Sequence, residues 1–255
     1  MTPFDALVLG IVEGITEFLP ISSTGHLILA NSLLQIQSSD FTKSFDIVIQ
    51  LGAILAVVVL YLRSFFDIEV IKRLIIAFIP TGVIGLVLYK LVKAYLLGND
   101  IVVLTALALG GVALIVFELL HTEPLDATSD IRSISYKQAL AIGLFQSIAV
   151  VPGVSRSAAT IVGGLMLGIK RITIVEFSFL LAVPTMGAAT GLDLLKSYST
   201  FTTANTIALS IGFVVSFVVA LASIKFLLAF VRNRSFIVFG VYRIVIAALF
   251  FWLVL

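Results

Sequence analysis

The chain contains no cysteine, so disulfides and thiolate metal sites are excluded. Charge is scarce as well. Only 12% of the 255 residues are charged, where a soluble domain carries roughly one quarter. The formal net charge of +2 is too small to favour a nucleic-acid partner. No basic stretch precedes the first hydrophobic segment, which carries Asp5 and Glu13 instead. A cleaved signal peptide is therefore not expected, and that segment counts as part of the mature fold. No P-loop, H-E-x-x-H or G-x-S-x-G pattern occurs, which argues against the nucleotide, zinc-peptidase and serine-elbow chemistries those patterns carry.

Apolar sequence fills the space left by charge. The chain is 60% hydrophobic, with a mean hydropathy of +1.21. Long continuous apolar runs read as membrane-spanning helices rather than alternating barrel strands. Full spans are expected near 45–62, 74–94, 101–120, 173–195, 204–229 and 236–254. Two more hydrophobic regions, roughly 4–34 and 136–168, are broken near their middles by Pro, Gly and Ser. Each reads as two half-helices joined by a turn, a re-entrant hairpin that enters and leaves on one side. Broken backbone at membrane depth is tolerated only when buried in protein or facing water.

The two broken regions align. Gly10-Ile11-Val12-Glu13 matches Gly143-Leu144-Phe145-Gln146, and Ala6, Ile15 and Ser22 then meet Ala139, Ile148 and Ser155. The expectation is an all-α integral membrane fold: one membrane domain of six transmembrane helices and two re-entrant helical hairpins. Its halves, 1–120 and 136–255, are separated by the polar linker His121–Lys137. An odd number of crossings per half makes this an inverted-topology repeat. Arg63, Lys72, Arg73, Arg132, Lys137, Lys170, Arg171, Lys225, Arg232 and Arg234 collect on one face, and Lys43, Lys90, Lys93 and Lys196 on the other. The positive-inside rule makes the first face cytoplasmic. Both termini and the 4–34 hairpin then face outward, and the 136–168 hairpin enters from the cytoplasm.

The polar residues inside these hairpins are the functional candidates, because ionisable groups at membrane depth mark sites. Glu13 and Glu17 stand four residues apart on one helix face. Two carboxylates so close repel unless a proton or cation lies between them, and Mg²⁺ or Ca²⁺ suits their oxygens. In Pro20-Ile21-Ser22-Ser23-Thr24-Gly25-His26, proline stops the first half-helix, and Ser22, Ser23 and Thr24 suit the cap of the second. The amides of such a helix start bind phosphate. His26, one turn on, could act as base, nucleophile or acid. In Pro152-Gly153-Val154-Ser155-Arg156-Ser157, the buried arginine calls for an anion, and its fork suits phosphate. A structural pair with Glu13 or Glu17 is the plainer alternative and is compatible with that role. Ser155, Ser157 and Thr160 add hydroxyls. Asp46 and Gln50 could line the same cavity. Gln146, the counterpart of Glu13, reads as a hydrogen-bonding group, and Arg243 as an interhelical tie or span end.

Acids, hydroxyls, a histidine and an arginine together suit a phosphorylated anion and a metal, and an apolar cleft around them suits a lipid-linked substrate. A lipid-phosphate hydrolase follows. A secondary transporter or polyprenyl-phosphate flippase on the same inverted repeat stays open as the alternative.

EGITEFLPISSTGH and PGVSRSAAT closely resemble the two signature segments of the bacterial undecaprenyl-diphosphate phosphatases, and FDIVIQLGAILAVV and EFSFLLAVP look similar to that family too. The resemblance covers essentially the whole chain. Ala158 departs from it, standing where the family usually has glycine. The resemblance implies a bacterial inner-membrane enzyme that hydrolyses undecaprenyl diphosphate to undecaprenyl phosphate and inorganic phosphate. It thereby implies recycling of the lipid carrier of cell-wall glycan precursors. It also implies divalent-cation dependence, an outward-facing site and bacitracin resistance on overproduction. By motif position, Glu13, Glu17, Ser23, His26 and Arg156 would carry catalysis, with Ser155 and Thr160 supporting phosphate binding. The nucleophile is left open between Ser23, His26 and water. A homodimer is a further expectation, since packing two repeats would leave a flat face.

Overall fold

The computed structural model describes residues 1–37, 39–96, 99–197 and 206–254, without the side chains at 93, 192–197 and 254. The side chains of Lys93 and Lys196, counted above among the outer-face lysines, and the first two positions of the 204–229 span therefore lie outside what is described.

The described residues are helical apart from turns, loops and one isolated bridge between Thr128 and Ile169. In chain order the helices are α1 (Pro3–Thr16), α2 (Ser23–Leu33), α3 (Asp40–Leu60), α4 (Ile68–Leu91), α5 (Asp100–Leu120), α6 (Tyr136–Ser147), α7 (Arg156–Met166), α8 (Arg171–Ser197), α9 (Thr206–Val231) and α10 (Ile237–Val254). Five of them, α3, α4, α5, α8 and α9, are long and apolar enough to cross a membrane, whereas α10 is a shorter apolar helix. The chain is thus a multi-pass membrane protein by the length and composition of its helices.

Several helices begin earlier than their apolar runs suggest, because polar caps carry them past the oily stretch. Ser39 accepts from the Thr42 amide and starts α3 at Asp40. Asp67 accepts from the amides of Glu69 and Val70 and starts α4 at Ile68. α1 and α6 both open with reciprocal capping boxes, Thr2 with Asp5 and Ser135 with Gln138.

The two broken regions form α1–α2 and α6–α7. α1 lies along α9, and α6 lies along α4. α3 packs on both α8 and α9, and α5 packs on α10. In both cases the short helix approaches a long one through a glycine. A Cβ on Gly10 would sit 2.9 Å from the Gly212 carbonyl oxygen, and one on Gly143 would sit 2.1 Å from that of Ala77. Small residues allow this backbone contact, which supplies packing energy where lipid offers no hydrophobic drive. The main core wraps around α8, where Phe177, Phe179, Leu180, Leu181 and Ala182 are fully buried. Phe18, at the first hairpin tip, joins it edge-on to Phe179 at 5.5 Å. Both tips therefore end inside protein.

Candidate active site

The first tip is a tight turn. α1 stops at Thr16, residues 17–21 turn, and Ser22 takes the cap position of α2 with φ 70° and ψ 99°. The second tip repeats this: after α6, Gly153 has φ +93° and Ser155 caps α7 with φ 76° and ψ 111°. Positive φ at a serine stores about 1–3 kcal/mol of strain and persists only where surroundings enforce it. Here the tips brace each other. Ser157 Oγ donates to the Phe18 carbonyl at 2.8 Å.

Glu17 is the meeting point. Its Oε1 accepts from Arg156 Nη2 at 2.8 Å, and its Oε2 accepts from Ser23 Oγ at 2.5 Å. The side chains of Arg156 and Glu17 are 12% and 6% exposed, so the pair is shielded from bulk water. Arg156 Nη1 donates to the Ser178 carbonyl at 2.8 Å, and its buried Nε donor has no partner. Its guanidinium carbon lies 5.9 Å from the centre of the Phe18 ring.

These groups form the polar end of a cavity of about 640 Å³. Glu17, Ser22, Ser23, Thr24, Gln50, Ser155 and Arg156 line it, and Thr81, Gln146 and Thr185 flank them. The rest of the wall is apolar: Phe78, Gly82, Gly85, Leu86 and Tyr89 of α4, faced by Met186, Ala188 and Ala189 of α8. Polar groups gathered at one end of a greasy cleft match a ligand with a charged head and an apolar body.

Of the residues singled out in the sequence, Glu17, Ser22, Ser23, Thr24, Gln50, Ser155 and Arg156 come together at the cavity. Glu13, His26, Ser157 and Thr160 do not line it. Glu13 is fully buried behind Glu17. Ser157 ties the tips together, and Thr160 Oγ1 donates to the Arg156 carbonyl at 2.9 Å. His26 lies beside α10, with Nδ1 2.8 Å from the Ser22 carbonyl oxygen and Nε2 2.9 Å from the Tyr242 hydroxyl. A carbonyl only accepts, so Nδ1 carries the hydrogen, and the Nε2 of a neutral ring accepts from Tyr242. Ser22 takes the cap position but makes no side-chain cap bond, unlike Ser155, whose Oγ accepts from the Ala158 amide at 3.2 Å.

Sequence reasoning missed Thr81, Thr185 and Tyr242. Gln146 does hydrogen-bond, through Nε2 to Thr81 at 2.8 Å and Thr185 at 3.1 Å, and it lines the cavity as well. Of the two readings of Arg243, interhelical tie or span end, the structure shows the tie: it is fully buried and, among the described residues, bonded to carbonyl oxygens.

The acids fit a hard divalent cation in chemistry. Both oxygens of Glu13 are buried without a hydrogen-bond partner, as is Asp46 Oδ1. The Glu13 carboxyl faces Glu17, with Asp46 also within electrostatic range. Among the described residues no group of three or more His, Cys, Asp or Glu converges as a complete cage. One or two carboxylates completed by phosphate and water oxygens is the way Mg²⁺ is commonly held.

Comparison with known proteins fits this geometry. Residues 6–249 match the family model described as bacitracin resistance protein BacA. A protein named undecaprenyl-diphosphatase from Sulfurihydrogenibium sp. (strain YO3AOP1) is 53% identical over 98% of this chain and 99% of its own. Its namesake from Aquifex aeolicus (strain VF5) is 54% identical over 98% of both chains. That of Wolinella succinogenes is 50% identical over 98% of this chain and 97% of its own. Matched from end to end by the model and by these relatives, the chain belongs to the BacA bacitracin resistance family.

Proposed function

We propose that this protein hydrolyses undecaprenyl diphosphate to undecaprenyl phosphate and inorganic phosphate, recycling the lipid carrier of cell-wall glycan synthesis. The observation that carries the reading is Glu17, hydrogen-bonded at once to Arg156 of one hairpin and Ser23 of the other, at the polar end of an apolar cavity. The names and near-complete coverage of the relatives support it.

In the proposed mechanism the diphosphate lies against Arg156 and the α2 amides, and the polyprenyl chain follows the α4–α8 wall. Ser23 Oγ attacks the terminal phosphorus while Glu17 Oε2 takes its proton. The bond to the bridging oxygen breaks, and undecaprenyl phosphate leaves. Water then hydrolyses the phosphoserine, releasing phosphate. Arg156, whose guanidinium stands at the cavity wall, stabilises charge growing on the transferred phosphoryl group. Glu13 and Glu17 would hold Mg²⁺ or Ca²⁺, which would polarise phosphoryl oxygens when bound. His26, held by Tyr242 and the Ser22 carbonyl, fixes the start of α2 and with it Ser23.

The reading of six crossings and two re-entrant hairpins in inverted repeats, 1–120 and 136–255, belongs to the same proposal. It is supported by the matching positive-φ serines at 22 and 155 and by the matching glycine contacts of α1 on α9 and α6 on α4. The site then opens outward, with both termini outside.

The test is phosphate release from a polyprenyl diphosphate by purified protein in detergent, with and without chelator, followed by acid quench and phosphopeptide mapping. Release that stops on chelation, with phosphate on Ser23 and none in Ser23→Ala, is expected. Binding without release, together with uptake in proteoliposomes, would move the assignment to a carrier. Release without a phosphoserine would hand the attack to His26 or water.

A further inference from the structure

Arg243 is fully buried in α10, and among the described residues no carboxylate pairs with it. A guanidinium carries five N–H donors, and here each finds a main-chain oxygen. Nε donates to Leu107 at 3.2 Å, Nη1 to Pro20 at 3.3 Å and Val154 at 2.9 Å, and Nη2 to Ala106 at 3.1 Å and Gly153 at 3.0 Å. Pro20 belongs to the first hairpin tip, Gly153 and Val154 to the second, and Ala106 and Leu107 to α5. One side chain thus reaches both turns from outside the two hairpins. The approach is built in: a Cβ on Gly110 would stand 2.1 Å from Nη2.

We infer that Arg243 is a positioning residue for the reaction. It locks the two turns to each other and to α5, and so fixes Ser23 on one tip against Arg156 on the other. Pro20 lies three residues before Ser23, and Val154 two before Arg156, so a slip of either turn carries a reacting group with it. Misplacement by about 1 Å costs on the order of a hundredfold in rate. Lysine, with three donors on a flexible stem, cannot hold five oxygens.

The experiment uses the full chain, whose lack of cysteine makes labelling clean. Spin labels go on Thr24→Cys and Val151→Cys, one by each tip at the cavity wall. A control pair, Ile15→Cys and Val218→Cys, reports on α1 against α9. Dipolar EPR is read in the parent, Arg243→Gln and Arg243→Lys. Gly110→Ala takes their place should they fail to yield folded protein, since it displaces the guanidinium without removing it. The tip-to-tip distance distribution should widen at least about twofold while the control stays as narrow as in the parent. In the same variants without labels, kcat should fall on the order of a hundredfold with KM within about threefold, since the lipid wall is untouched. A tip distribution as narrow as the parent's, equal widening in the control pair, or kcat within about threefold of the parent would each overturn the inference. The kinetic arm rests on the hydrolase reading. The spin-label arm needs no substrate, so it decides the clamp even if the parent proves inactive.

Discussion

Arg156 commits Nη1 and Nη2 to Ser178 and Glu17, while its buried Nε has no partner among the described residues. Its value lies in that directional split, which a point charge lacks. Arg156→Lys should therefore lose at least about tenfold in kcat/KM with folding retained, measured as phosphate release. Turnover at the parent rate would remove Arg156 from the mechanism. Glu13 stands differently, with two carboxyl oxygens in the interior and, among the described residues, only the neighbouring Glu17 carboxyl close enough to share a proton with them. Such a group is costly unless something binds it. Glu13→Gln keeps the shape and removes the charge, so the Mg²⁺ concentration giving half-maximal activity should rise at least about tenfold. An unchanged titration would exclude it as a ligand. At this scale the sequence picked out seven residues that meet at the cavity and was a poor guide to where the others point. Two glutamates at i,i+4 and an arginine within an oily run announce themselves. The turning of His26 towards Tyr242, 216 positions away, depends on how α2 lies against α10, and no local pattern encodes that. Thr81 and Thr185 escaped notice because an isolated threonine in a span usually bonds its own helix. Thr185 does so, donating to the Leu181 carbonyl at 2.7 Å.

The hairpins show what element-level reading can reach. Pro, Gly and Ser at the centres of two apolar regions gave the break, and the aligned glycines hinted at a shared design. The reason for those glycines emerges only when α6 meets α4. Gly143→Ala would drive a methyl into the Ala77 carbonyl oxygen. It should cost about 1–3 kcal/mol, the usual penalty for overpacking. Gly85→Ala on α4, whose Cβ would meet nothing within 4 Å, is the control, and it should stay within about 0.5 kcal/mol of the parent. Thermal unfolding in detergent compares them, and equal midpoints would mean that α6 does not press on α4 as described. Helix starts were misjudged by several residues at α3 and α4 because apolar runs mark the oily stretch, whereas Ser39 and Asp67 mark where hydrogen bonding begins.

Across the whole molecule, Arg73, Arg132 and Arg171 gather at the end where the linker joins α5 to α6. Arg132 reaches Asp67 at 2.8 Å, Arg73 reaches the Ile134 carbonyl at 2.6 Å, and Arg171, paired with Glu118 of α5 at 2.7 Å, donates its amide to Glu123 at 2.9 Å. If that end is cytoplasmic, Leu125→Cys, fully exposed in the linker, should react with an impermeant maleimide only after the membrane is opened. Gln37→Cys, exposed between α2 and α3, should react in intact cells. The reverse pattern would invert the proposed orientation and turn the site inward.

The buried guanidinium of α10 has an evolutionary corollary. Because it grips only main-chain oxygens, it reads the path of the chain and is blind to side-chain identity at 106, 107 and 154. Arg243 therefore places no demand on side-chain identity there, and what holds Leu107 is its own burial in the core against Gly25. Position 110 has no such freedom, and a gain of bulk there should travel with the loss of arginine at 243.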